Sequence, residues 1–129
     1  MRYLKTYKIF ETSHDEAMSW HYRHDVIKEC DSIIADIKDM LLELKDIGLF
    51  ITVGYTPMTL VYREKTPKIM AEVQGDTLLC SDNKDDIDSA FERIKEYTSS
   101  KGYVTGFGTW EREGENGKTM SVYQMLIQK

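Results

Sequence analysis

The chain has 129 residues, 41% of them hydrophobic and 30% charged, with two prolines and a net charge of -5. That length predicts one hydrophobic core and a single domain over residues 1–129, and 14 aromatic residues argue against a disordered chain. The acidic balance disfavours nucleic acid as a partner, no window of about 18 apolar residues could span a membrane, and no secretory signal opens the chain. Two cysteines, Cys30 and Cys80, are too few for a disulfide framework; buried free thiols in a cytoplasmic, reducing setting are the simpler account.

In chain order, residues 2–10 mix apolar and polar side chains on both faces of any strand, so they read as a strand or a docked arm. Ser13-His14-Asp15-Glu16 has the spacing of a capping box and starts a helix near residue 14. The main helical signal is Val26, Cys30, Ile33, Ile37, Met40, Leu44 and Ile47, widened by Ile27, Ile34 and Leu41. A stripe this wide suits packing on a sheet better than a two-stranded coiled-coil seam, although a homodimer is compatible with it; Leu42 falls off the stripe. Gly48 is placed to end this helix.

Strands are expected over Leu49–Tyr55 and Met58–Glu64, around Thr56-Pro57, and a third over Pro67–Val73. Gly75-Asp76 reads as a turn before the short apolar run Leu78-Leu79-Cys80. Asp82 then caps a second helix whose buried face is Ile87, Ala90, Phe91, Ile94 and Tyr97, ended by Gly102. Tyr103–Arg112 and Lys118–Ile127 form a hairpin about Asn116-Gly117. The order is (β)αββ(β)αββ, an α+β fold with two amphipathic helices on a mostly antiparallel sheet; a ferredoxin-like variant follows if the first strand is real.

Three sets of residues are candidates for function. His14, His21 and His24 fall within one short stretch and could hold a divalent metal, but no HExxH pattern or remote fourth ligand accompanies them. Surface histidines near a helix start are the plainer reading. Asp82, Asp85, Asp86, Asp88 and Glu92 form an acidic helix face, ordinarily a solvated one, that could instead meet a protein partner. Tyr55, Tyr62 and Trp110 could line an open sheet face with rings suited to an interface, against the alternative that they edge the core.

Lys101-Gly102-Tyr103 with Gly106-Phe107-Gly108 loosely resembles the core of an RNA-recognition motif, but Val104 and Thr105 stand where that motif needs small and aromatic residues. The same glycines follow a helix, whereas a phosphate cradle precedes one. All three histidines precede residue 25 and no glycine-serine elbow occurs, so no nucleophilic set is assigned.

The opening Met1-Arg2-Tyr3-Leu4-Lys5-Thr6-Tyr7-Lys8-Ile9-Phe10-Glu11, and later Ile37-Lys38-Asp39-Met40-Leu41-Leu42-Glu43-Leu44-Lys45-Asp46-Ile47-Gly48, resemble small uncharacterised accessory proteins of tailed bacteriophages. The resemblance implies a viral origin and a host-cytoplasmic setting, and it carries over no functional residue. It favours a non-enzymatic protein that binds another protein, as a host-factor inhibitor or virion component. A metal-binding protein or enzyme using the histidines, and a nucleic-acid-binding module, are the alternatives.

Overall fold

The computed structural model describes residues 22–57, 59 and 66–129. Helix α1 runs His24–Met40 and buries Cys30, Ile33, Ile34 and Ile37, the stripe read from the sequence. Its charges favour the helix dipole, with Asp25 in the first turn and Lys38 in the last. The helix does not continue unbroken to Ile47. Leu41, fully buried at φ -95° and ψ 0°, separates it from α2, Leu42–Ile47. The break lets Leu41 and Leu44 both reach the core. The start near residue 14 lies outside the described residues.

At Gly48 (φ 111°) the Gly48 N–H donates to the Lys45 carbonyl at 3.0 Å and the Leu49 N–H to the Leu44 carbonyl at 3.2 Å. This pair of bonds closes the helix end, and the left-handed residue between them has to be one without a Cβ penalty. Strand β1, Phe50–Tyr55, follows directly. Of the strand expected over Met58–Glu64, Thr59 is described and is helical; its N–H reaches the Thr56 hydroxyl at 3.2 Å. The other residues of that segment lie outside the description, Tyr62 among them.

Strand β2, Ile69–Asp76, extends through Gly75 and Asp76, which pair with Ser121 and Met120. The expected turn there is therefore strand, because a long partner strand supplies ladder positions for both residues. Gly75 is needed for space: a Cβ would lie 2.5 Å from the Leu49 side chain. Leu78-Leu79-Cys80 belongs to a short helix, α3, Thr77–Asp82, whose first turn is capped by Asp76 accepting from the Leu78 N–H at 2.9 Å. Asp82 thus ends α3 and does not cap the next helix. Asn83 precedes α4, Lys84–Ser100, and its carbonyl accepts from the Ile87 N–H at 3.0 Å.

Helix α4 buries Ile87, Ala90, Phe91, Ile94 and Thr98, with Tyr97 at the margin. Its end repeats that of α2: Gly102 (φ 87°) donates to Ser99 and Tyr103 donates to Thr98, each at 3.0 Å. Strands β3, Val104–Glu113, and β4, Thr119–Gln128, form the expected hairpin, with Asn116 (φ 67°) and Gly117 (φ 73°) both left-handed in the turn.

The sheet order is β1-β2-β4-β3 and every pairing is antiparallel. The fold is α+β, with α1 against β1, α4 against β3, and the two helices touching over one sheet face. The described residues thus form two αββ units joined where β2 meets β4. The first strand, on which a ferredoxin-like variant depends, lies outside the described residues, and β4 is the second neighbour of β2. Ile69, Ala71, Val73, Met125 and Ile127 face the helices in one buried cluster with Ile33, Ile37, Ile87 and Ile94. Among the described residues no helix is long and apolar enough to cross a membrane.

Ile37 is fully buried and Leu42 is 53% exposed. Ile37→Ala should therefore cost about 2–5 kcal/mol of unfolding free energy and Leu42→Ala about 0.5 kcal/mol or less. Urea denaturation followed by circular dichroism measures both, and equal losses would contradict this placement of the core.

Candidate functional site

The longest strands are β3 and β4, paired over ten positions from Val104↔Gln128 to Glu113↔Thr119. β4 is covered on both edges by neighbours, whereas β3 has one neighbour and lies at the end of the sheet among the described residues. Such an edge carries backbone donors and acceptors with no ladder partner among the described residues. Nine of its ten residues are exposed, and Thr105 is the partly covered one. Alternation places Thr105, Phe107, Thr109 and Glu111 on the helix side, and Val104, Gly106, Gly108 and Trp110 on the far side. At Gly106 a Cβ would meet nothing within 4 Å, and at Gly108 only the Trp110 ring at 3.9 Å, so the backbone there is open to approach.

On the helix side, α4 does not reach far enough to cover β3. The gap is a cleft of about 310 Å³ lined by Asp88, Phe91, Glu92, Lys95, Phe107 and Met125. Its floor is aromatic. The rings of Phe91 and Phe107 meet edge to face at 5.2 Å between centroids, and Phe107 and Tyr123 lie 6.4 Å apart. Phe107 remains 50% exposed, an apolar ring left at the mouth. Asp88 and Glu92 stand along one helix face at the rim with Lys95 beyond them. Burial pushes the Tyr123 hydroxyl above its ordinary pKa, and the fields of Cys80, Asp88 and Glu111 push it in the same direction. The cleft is therefore acidic over an apolar floor.

A second groove, about 250 Å³, lies at the opposite side of the fold between α1, α2 and β1. It is lined by Lys38, Leu41, Leu42, Lys45, Ile51 and Val53. Its strand is short, six residues, and its rim is basic.

The structure brings some of the sequence candidates together. Asp88 and Glu92 share the cleft rim, and Trp110 is on β3 itself, exposed on the far face opposite Val122. Asp82 and Asp85 are exposed away from the cleft lining, and Asp86 borders a small hollow between the helices with Arg93. Tyr55 is half-buried, its hydroxyl donating to Asp31 at 2.7 Å, so its polar tip is already used. His24 is the exposed first residue of α1; His14 and His21 lie outside the described residues. Among the described residues no group of three or more His, Cys, Asp or Glu is placed to hold a metal ion. Burial raises both the Cys30 and the Cys80 thiol, against thiolate chemistry at either. Phe91, Lys95 and Phe107 were not singled out from sequence as site residues, although Gly106-Phe107-Gly108 marked the place.

No protein-family model and no curated protein matches the chain.

Tyr97 bridges the two helices by donating to Asp36. Its pKa is pushed from 10.0 up to about 12, first by burial and then by the bond and charge of that carboxylate. A phenol held neutral in the folded state supports folding fully below about pH 10 and loses that contribution as pH rises through about 12. The gap in urea midpoint between the natural chain and Tyr97→Phe should accordingly shrink between pH 9 and pH 12. A gap that stays constant would mean Tyr97 keeps its ordinary pKa.

Proposed function

We propose that this protein acts by binding another protein, accepting an extended segment of it as an added strand on the free edge of β3. The reading rests chiefly on one observation: a ten-residue edge strand, exposed along its length, lies beside an apolar cleft with an acidic rim. Strand addition draws its affinity from main-chain hydrogen bonds and its specificity from pockets for alternate side chains. Here the side chains pointing toward α4 would meet Phe91 and Phe107 below Asp88, Glu92 and Glu111. Those pointing away would meet Trp110 and Val104. The favoured occupant is an extended segment that alternates apolar residues with lysine or arginine.

With the sequence resemblance to accessory proteins of tailed bacteriophages, the role we propose is that of an accessory or host-factor-inhibiting protein in the host cytoplasm, acting by binding rather than by catalysis. The acidic rim also repels a phosphate backbone, which makes nucleic acid the poorer candidate.

A short synthetic peptide alternating valine or phenylalanine with lysine or arginine provides the test. It should shift the backbone amide resonances of β3 and the side of α4 facing it, and its affinity should fall as salt is raised. Asp88→Lys combined with Glu92→Lys should weaken binding about tenfold, on the order of 1.4 kcal/mol. No binding, or resonance shifts gathered on β1 instead, would overturn the proposal.

A further inference from the structure

We infer that the free edge of β3 is self-complementary, and that in the absence of a partner it pairs with β3 of a second copy of this chain. The inference rests on the docking role of β3 and names one occupant for it. Residues 104–110 read Val-Thr-Gly-Phe-Gly-Thr-Trp, which is symmetric in chemical type about Phe107. Two such strands laid antiparallel about a two-fold axis at Phe107 place like against like. On the helix side Phe107 meets Phe107 of the second copy, flanked by Thr105–Thr109 pairs. On the far side Gly106 meets Gly108, and Val104 meets Trp110. Aromatic, aromatic–β-branched and threonine pairs directly opposite one another are the favourable cross-strand combinations. Val104 is 65% exposed, so each apolar pair would cover surface that the single chain leaves in water.

The helix above the strand obeys the same symmetry. Phe91 touches Phe107, which sets the middle of the α4 face level with the middle of the palindrome. Asp88 and Lys95 lie on that face on opposite sides of Phe91. A two-fold axis at Phe107 therefore brings Asp88 of each copy toward Lys95 of the other. Glu92 falls nearest the axis and approaches its own copy, an unfavourable pair. The closed arrangement joins the two sheets of four described strands into one of eight, antiparallel throughout, and leaves the short β1 edges, beside Lys38 and Lys45, at its ends among the described residues. Two-fold closure of this kind is the commonest symmetry of homo-oligomers, and lysines near a remaining edge discourage further growth.

Sedimentation velocity of the purified full chain over a wide range of concentrations should show a monomer–dimer equilibrium. Lys95→Glu should weaken the dimer about tenfold or more by setting acid against Asp88. The swap D88K/K95E should restore it to within about threefold, and E92Q should tighten it. Antiparallel neighbours directly opposite lie within disulfide reach, so F107C should cross-link to itself on air oxidation while T105C should not. A chain monomeric at every concentration, a dimer indifferent to K95E and its swap, or cross-linking through T105C but not F107C would each overturn the inference. Peptide titration of K95E separates this result from the docking proposal. A monomeric chain that still binds the basic peptide loses only the self-pairing; a dimer whose K95E form ignores the peptide loses only the docking.

Discussion

The pairing of β2 with β4 joins two halves into one sheet over one core. Each half is a helix with two antiparallel strands, and two strands alone make a marginal sheet in water. Ile69 opposite Ile127 and Ala71 opposite Met125 bring the two hairpins into one sheet and present a continuous apolar face to both helices. The halves repeat at the level of local structure. Each main helical segment ends on a left-handed glycine, Gly48 or Gly102, and each next residue, Leu49 or Tyr103, is buried before the following strand begins. Joining the halves through their second strands forces their first strands, β1 and β3, to the outside.

The two edges differ in ways that decide what each can do. β1 has six residues and basic neighbours. β3 has ten, presents open backbone at Gly106 and Gly108, and lies beside a cleft whose apolar floor is set below acids. Long exposed edges invite pairing with another chain. The polar tips of Tyr55 and Tyr97 are committed to Asp31 and Asp36, so among the described residues the rings left facing solvent are Phe50 at the start of β1 and Phe107 and Trp110 on β3.

Features set by local chemistry were legible in the amino-acid sequence. The stripe expected from Val26 to Ile47, the helix-ending glycines and the Asn116-Gly117 turn depend on neighbours a few residues away; the glycines and the turn stand as expected, and the stripe packs on the core as far as Leu44 while Ile47 is exposed. Features set by distant partners were not. Gly75-Asp76 looks like a turn until Ser121 and Met120 pair with it. Asp82 looks like a cap until Asp76 caps a helix that ends on Asp82. The edge position of β3 follows from sheet order alone, which no local pattern encodes, so Phe107 read as an ordinary strand residue beside two glycines. Asp88, Glu92 and Trp110 stand out in the sequence by charge and aromaticity, and the structure brings them close to that strand.

Amide hydrogen exchange along Val104–Trp110, followed as chain concentration is raised, bears most directly on β3 as a docking strand. In dilute solution β3 should exchange faster than β2 and β4, and its outward-facing amides should gain protection as concentration rises or as the basic peptide is added. Exchange in β3 as slow as in β2 at every dilution, or protection that never responds to a second chain or to peptide, would contradict an open edge built for pairing.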